Sequence, residues 1–157
     1  MENSVTSFLP VWACLASLLA VPLIVLFRKE IFLREAVTFG AGIAKFAFVL
    51  AMLPIILDGK VIEYTFVRGI AGVSVPIQFR VDGLGMIFAL VASSLWILTS
   101  IYAVGYMRGL QEHSQTRFFA FFALSLCATL GVAFSGNIQT LYLFYELLSL
   151  STWPLVT

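Results

Sequence analysis

Long apolar runs alternate with short charged segments along the chain, and this pattern predicts its secondary structure. Five apolar runs of about 17 to 24 residues remain between the charges, and a helix of that length crosses a bilayer at about 1.5 Å rise per residue. Strands are not expected to span, because an isolated strand leaves its backbone groups unpaired in lipid. We therefore predict an all-α integral membrane fold with about five transmembrane helices, at about residues 8–27, 36–57, 84–107, 118–134 and 138–156.

The connection between the second and third runs has a different pattern. Residues 60–68 are rich in β-branched and aromatic side chains, and residues 73–82 alternate apolar and polar side chains with a period of two. This predicts an extramembrane β-hairpin over about residues 60–82, lying against the outer membrane face. Pro76 suits an edge strand of such a hairpin. The hairpin is either a docking surface for a neighbouring subunit or a compact extramembrane loop.

The composition agrees with a membrane protein. The chain is 61% hydrophobic and only 11% charged, with a mean hydropathy of +1.04, whereas soluble domains carry roughly a quarter charged residues. Its net charge of +1 gives no reason to expect a nucleic-acid partner. Cys14 and Cys127 both fall within apolar runs, so we expect two small packing residues rather than a disulfide or a metal site.

The distribution of positive charge predicts the orientation in the membrane. No Lys or Arg precedes the first run, and two cations follow it, which indicates a retained helix rather than a cleaved signal peptide. With the N-terminus outside, the loops carry five cations on the inner side and three on the outer side, which favours this orientation. We therefore expect a multi-pass cell-membrane protein with its N-terminus outside. The inner cations are Arg28, Lys29, Arg34, Arg108 and Arg117, and the outer ones are Lys60, Arg68 and Arg80.

One acidic side chain, Glu146, lies within the fifth apolar run, near the expected middle of the bilayer. A carboxylate at that depth costs a few kcal/mol or more, and it usually has a task such as proton or cation handling. Residues three, four and seven positions away share its helix face. Two hypotheses remain open: Glu146 handles ions, or it is a protonated or hydrogen-bonded group that only holds two helices together. The candidate supporting polar face consists of Gln139, Tyr142, Ser149 and Trp153.

A second intramembrane charge, Lys45, lies well inside the second run, where its stem reaches the membrane surface poorly. A structural or interfacial role is the favoured interpretation, and pairing with Glu146 is conceivable. His113 lies in a short loop without metal-ligand partners at usable spacing, which indicates a solvated side chain. The sequence contains no phosphate-binding Gly-rich loop, iron–sulfur cysteine cluster, haem motif or nucleophile constellation. We therefore expect no cofactor, metal site or catalytic residue in this chain.

Several motifs resemble those of a known family. Phe79-Arg-Val-Asp-Gly-Leu opens the third run, Tyr102-Ala-Val-Gly-Tyr-Met closes it, Arg117-Phe-Phe follows, and the last run contains Tyr145-Glu-Leu-Leu-Ser-Leu-Ser-Thr-Trp-Pro-Leu-Val. Over about residues 79–157 the chain resembles the N-terminal part of the antiporter-like subunits shared by Mrp-type cation/proton antiporters, energy-converting membrane hydrogenases and respiratory complex I. The Leu-Ser-Thr-Trp-Pro-Leu-Val ending looks most like the Mrp D-type branch.

The resemblance implies a role for Glu146. The matching family glutamate pairs with a lysine on a later helix, and this pair takes part in proton translocation. The resemblance also implies about fourteen helices, with two inverted repeats after an initial bundle. Residues 1–157 are therefore expected to form a single transmembrane region, an N-terminal fragment of a larger subunit that would not transport ions unaided. The implied partners are other subunits of a membrane antiporter or respiratory complex, the lipid bilayer, H⁺ and Na⁺.

Three functions follow from these observations. The first is a subunit of a multi-subunit monovalent cation/proton antiporter, with proton translocation through Glu146. The second is an antiporter-like subunit of NADH:quinone oxidoreductase (complex I) or of a membrane hydrogenase, in which other chains hold the redox chemistry. The third is a non-transporting membrane scaffold or accessory subunit, in which Glu146 serves packing only.

Overall fold

A computed structural model describes residues 4–67, 76–109 and 115–156 of the chain. Within these ranges it contains five helices and three strands, which confirms the predicted helical membrane fold with a small sheet. In chain order the elements are β1 Ser4–Thr6, α1 Leu9–Leu26, α2 Ile31–Leu57, β2 Val61–Val67, β3 Ile77–Val81, α3 Gly83–Gly109, α4 Gln115–Ala133 and α5 Ile138–Val156.

The helices pack as an up-and-down bundle. α1 contacts both α2 and α4, α2 also contacts α3, and α5 packs along α4. Two clusters of buried apolar side chains form the core. The first lies at the end that carries the sheet and includes Ile62, Phe79, Val81, Met86 and Leu130. The second joins α1, α3 and α4 and includes Ala20, Ile24, Trp96, Phe119 and Ala123.

The predicted hairpin supplies two strands of a three-stranded sheet with the order β1-β2-β3, in which β2 is the central strand. β2 and β3 are antiparallel, with Ile62 opposite Val81 and Tyr64 opposite Phe79. Residues 68–75 of the predicted hairpin lie outside the described ranges. β1 pairs in parallel with β2. It was not predicted, because a strand of three residues is too short to show an alternating pattern.

β3 is the edge strand that Pro76 suggested, and the turn between α4 and α5 covers its outer edge. The N–H of Arg80 donates a hydrogen bond to the carbonyl of Phe134 at 2.7 Å, and the N–H of Gly136 donates to the carbonyl of Gln78 at 2.8 Å. These bonds satisfy backbone groups that an open edge would leave unpaired. They also tie the sheet to the helix pair α4 and α5.

The start of α3 explains part of the Phe79–Leu84 motif. The Oδ1 atom of Asp82 accepts a hydrogen bond from the N–H of Gly85 at 2.8 Å, so Asp82 caps the helix. A β-carbon at Gly85 would lie 3.0 Å from the carbonyl oxygen of Ala133, so the glycine allows α3 to approach the end of α4. Phe79 is buried, and its ring centroid lies 5.5 Å from that of Phe144.

Two differences from the predicted helices concern charged or polar residues. α2 begins at Ile31 rather than near residue 36, because Arg34 and Glu35 find partners within the bundle and the helix continues through them. Among the described helices, α1 to α4 are long and apolar enough to cross a membrane. α5 has 19 residues, like α4, but is more polar, and it is not among these four. A fifth membrane span at α5 therefore stays a prediction.

Candidate functional site

The sheet holds the beginning of α5, the helix that carries Glu146. Asn137 precedes this helix, and its Oδ1 atom accepts a hydrogen bond from the N–H of Thr140 at 2.8 Å, which is an N-cap. Its side-chain amide donates to the carbonyl of Pro76. The hydroxyl of Thr140 accepts a hydrogen bond from the N–H of Gln78 at 3.0 Å. The start of α5 is therefore fixed to β3.

Contacts with α4 fix the rotation of α5 about its own axis. The ring of Phe144 lies against Gly131, where any β-carbon would overlap the ring. About two turns after Phe144, α5 carries Ser151. Its buried hydroxyl accepts a hydrogen bond from the hydroxyl of Ser125 on α4 at 3.0 Å. Thr140 is also buried. The side of α5 that contains Thr140, Phe144 and Ser151 thus faces the protein.

The opposite side of α5 carries Glu146. Its side chain is exposed, as are those of Gln139, Tyr142 and Ser149, and Trp153 is 70% exposed. The structure therefore brings the five residues of the predicted face together on one side of α5. Among the described residues, none forms a hydrogen bond or an ion pair with the Glu146 carboxylate. A role of this face in proton translocation stays a prediction.

Lys45 has the opposite surroundings, since its side chain is completely buried near the middle of α2. Its Nζ atom donates a hydrogen bond to the carbonyl of Leu126 at 2.9 Å and lies 4.8 Å from the centre of the Trp96 ring. Gly42, one turn earlier, lies beside the same ring, and a β-carbon there would be in ordinary contact with the indole at 3.7 Å. The ammonium group thus joins α2, α3 and α4.

The structure does not bring Lys45 and Glu146 together. Lys45 binds a carbonyl inside the bundle, whereas Glu146 points away from it. The buried thiols of Cys14 and Cys127 lie near each other and near the Lys45 ammonium group. Both cysteines are free and buried, in agreement with their predicted packing role.

A cluster of charged side chains that were predicted to lie in loops is found at the end of the bundle away from the sheet. Arg108 at the end of α3 donates two hydrogen bonds to the carboxylate of Glu35, with 3.0 Å between Nε and Oε1. Arg34 donates to the hydroxyl of Thr116 at 3.0 Å and to the side-chain carbonyl of Gln115. Arg34 and Arg108 were predicted to lie on the same side of the membrane, and this was the only sign in the sequence that the cluster forms. Which residues pair between helices cannot be read from a sequence.

The remaining candidate, a metal site near His113 or elsewhere, finds no support in the described residues. His113 lies outside the described residues. In the ranges that the structure covers, no group of three or more His, Cys, Asp or Glu side chains is placed to hold a metal ion.

Comparisons with known proteins relate this arrangement to a class of membrane subunits. The family model described as NADH-Ubiquinone oxidoreductase (complex I), chain 5 N-terminus, matches residues 66–119. The chain also has the fold of part of a solved structure of the membrane-bound sulfane sulfur reductase, an archaeal respiratory membrane complex. That match has a TM-score of 0.75 at 19% identity and covers 90% of this chain and 22% of the other. These matches make the chain similar to antiporter-like membrane subunits of the Mrp and complex I type.

Two bacterial antiporter subunits are similar to this chain in sequence. The chain is 31% identical over 149 residues to antiporter subunit mnhA2 of Staphylococcus haemolyticus. That alignment covers 91% of this chain and 18% of the relative. It is 29% identical over 139 residues to Na(+)/H(+) antiporter subunit A1 of Staphylococcus aureus. This second alignment covers 88% of this chain and 17% of the relative. The chain thus spans less than a fifth of the length of these relatives. Both are named as A subunits, so the predicted D-type assignment is not confirmed.

Proposed function

We propose that this chain supplies the N-terminal helices of an antiporter-like subunit in a multi-subunit monovalent cation/proton antiporter, with Glu146 as a protonatable group. The observation that carries the proposal is the position of Glu146 on the exposed side of α5, beside Gln139, Tyr142 and Ser149. The names of the bacterial relatives suggest Na⁺ and H⁺ as the exchanged ions.

The energetics of the exposed face support this proposal. A carboxylate that faces lipid at mid-membrane depth costs a few kcal/mol or more, and such groups almost always face protein or a water-filled cavity. Phe144 and Ser151 hold the opposite side of α5 against α4, so rotation of the helix cannot bury Glu146 within the described bundle. The face therefore requires cover from other protein segments or from water. A water-filled cavity, or a basic side chain on the covering segment, would allow Glu146 to exchange its proton.

The polar groups next to Glu146 are suited to proton transfer along the helix. Tyr142 lies one turn before it and Ser149 nearly one turn after it on the same exposed face. A phenol and a hydroxyl each donate and accept hydrogen bonds. We infer that Glu146 accepts a proton from this polar face and releases it to a basic partner on another segment of the complete subunit.

Substitution of Glu146 by Gln in the complete antiporter complex tests the proposal. Everted membrane vesicles loaded with a pH-sensitive dye report Na⁺-driven proton release, and the exchange rate should fall by about tenfold or more, as for loss of a proton-transfer group. The matched control is Glu30→Gln, which removes an exposed carboxylate from the turn between α1 and α2. Unchanged exchange with Glu146→Gln, at equal amounts of assembled complex, would support the scaffold function instead.

The subunit type is a separate part of the proposal. We propose the A type because both Staphylococcus relatives carry that name, while the ending of α5 resembles the D type. Chromosomal tagging of the complete protein and mass spectrometry of the purified complex distinguish them. Recovery of a second, separately encoded A subunit in the same complex would overturn the A-type assignment.

A complex I-type subunit is the second candidate function, and the match of residues 66–119 to the chain 5 family model favours it. In that case deletion of the gene should abolish most NADH-driven proton pumping in membrane vesicles and leave Na⁺/H⁺ exchange intact. The antiporter proposal expects the reverse pattern, so the same deletion strain separates the two functions.

The proposed orientation places the N-terminus outside. The end of the bundle away from the sheet carries Arg28, Lys29 and Arg117, and an excess of cations is typical of cytoplasmic loops. A reporter enzyme active only outside the cell, fused after residue 157, should remain inactive if α5 also spans the membrane. Strong activity of that fusion would show that α5 does not cross or that the orientation is reversed.

A further inference from the structure

An open groove runs between α1 and α4 at the end of the bundle away from the sheet. It encloses about 750 Å³, and Val21, Val25, Phe121 and Leu124 form apolar walls along it. Three cations, Arg28, Lys29 and Arg117, also line it. The groove therefore combines an apolar channel along two membrane helices with a strongly basic end.

The three cations are available for an external ligand. All three are exposed, and among the described residues none of them forms an ion pair with a carboxylate. The neighbouring arginines have partners instead, since Arg108 forms an ion pair with Glu35 and Arg34 donates a hydrogen bond to the hydroxyl of Thr116. One exposed acid, Glu30, follows Lys29 in the chain and offsets part of the positive charge.

The first turn of α4 adds hydrogen-bond donors to the basic end. The first N–H groups of a helix have no partner within the helix and attract anions, and α4 begins at Gln115. The hydroxyl of Thr116 lines the groove and accepts a hydrogen bond from Arg34, so its own proton can be donated to an anion. Positive side chains and a hydroxyl thus line one end of the groove, beside the N-terminus of α4.

We propose that this groove binds one anionic phospholipid, with the phosphate beside Arg28, Lys29 and Arg117 and an acyl chain along Val25 and Leu124. The amphipathic lining carries the inference: a soluble phosphate has no use for the apolar walls, and a zwitterionic lipid gains less from three cations. Basic pockets between transmembrane helices at the membrane surface are suited to anionic headgroups. This lipid site is independent of the function of Glu146.

Native mass spectrometry of the whole chain in detergent, titrated with phosphatidylglycerol or with phosphatidylcholine of the same acyl composition, tests the proposal. The wild type should bind phosphatidylglycerol about tenfold more tightly, as expected for several cations near one headgroup. The triple variant Arg28→Gln, Lys29→Gln, Arg117→Gln should lose this preference. The control Lys60→Gln removes a cation at the sheet end and should keep it. Equal binding of both lipids by the wild type would overturn the proposal.

A second pair of variants tests the apolar half of the site. Val25→Trp fills the groove while retaining every cation, and should weaken phosphatidylglycerol binding about tenfold, as for loss of buried acyl methylenes. Leu98→Trp places the same bulk at an exposed position of α3, which is 61% exposed and outside the groove, and should bind as the wild type does. Equal binding by Val25→Trp and Leu98→Trp would contradict the site.

Two further measurements complete the test. Glycerol 1-phosphate should not displace the lipid at equal concentration, and displacement would assign the basic end to a soluble phosphate and overturn the lipid assignment. Circular dichroism establishes that each variant is folded. If the triple variant does not fold, the single variant Arg117→Gln replaces it, with an expected loss of about fivefold, and unchanged lipid preference in that variant overturns the proposal.

Discussion

Lys45 and Glu146 are both ionisable residues well inside long helices, but the fold gives them opposite surroundings. The ammonium group of Lys45 is completely buried, bonded to the carbonyl of Leu126 and placed over the ring of Trp96. Glu146 is exposed and has no bonded partner among the described residues. The same type of sequence signal, one charge within an apolar run, thus leads to an internal helix contact in one case and to an open face in the other.

The difference separates residues that stabilise the bundle from residues that are available to other molecules. A buried charge with good hydrogen-bond geometry becomes part of the packing, and its loss is costly because the surrounding groups lose their partner. An exposed charge contributes nothing to the packing of its own bundle. It is therefore free to serve a function that depends on what covers it.

Reversal of the two charges should produce the largest effect. Lys45→Glu directs a carboxylate at the carbonyl of Leu126, and breaking a buried charged contact costs about 3 to 5 kcal/mol. We expect the amount of monodisperse protein after detergent extraction to fall by about tenfold or more. The matched variant Glu146→Lys should stay within about twofold of the wild type, because its side chain leaves the bundle. Equal losses for both variants would remove the distinction between the two regions.

A smaller effect should follow from forcing α5 away from α4. Gly131→Ala places a β-carbon within the ring of Phe144, and overpacking of this kind costs about 1 to 3 kcal/mol. Thermal unfolding in detergent should show a lower midpoint. Gly105→Ala is the control, since nothing lies within 4 Å of its β-carbon position, and its midpoint should be unchanged or slightly raised. Recovery of the Gly131→Ala midpoint by a second substitution, Phe144→Leu, would identify the ring as the obstacle.

The smallest effect should distinguish the two sides of α5 directly. Ser151→Ala removes the buried hydrogen bond from Ser125, and such bonds between membrane helices contribute about 0.6 kcal/mol on average. Ser149→Ala changes a hydroxyl on the exposed side and should leave the unfolding midpoint unchanged. In the antiporter complex proposed above we expect the opposite order, with ion exchange reduced by Ser149→Ala but not by Ser151→Ala. Loss of exchange from Ser151→Ala alone would contradict the assignment of sides.

The apolar pattern predicted most of the fold because each long run is sufficient to define a helix. The bounds of α5 agree with the prediction, and those of α3 and α4 differ by only a few residues. The alternating segment before Asp82 also predicted the hairpin correctly. The prediction was wrong at the start of α2, where Arg34 and Glu35 were assigned to a loop. Their partners Thr116 and Arg108 are distant in sequence, so the helix boundary depends on tertiary contacts.

The sequence by itself determined that the chain belongs in a membrane, and it determined the helices and the hairpin. It also grouped Glu146 with Gln139, Tyr142 and Ser149 on one helix face. These features depend only on local composition and on the helical repeat. Only the tertiary structure decided which way each face points. Phe144 on Gly131 turns Glu146 outward, and the contacts with Leu126 and Trp96 turn Lys45 inward. The physical reason is that a helix repeat defines faces, whereas contacts between distant residues select the face that is buried.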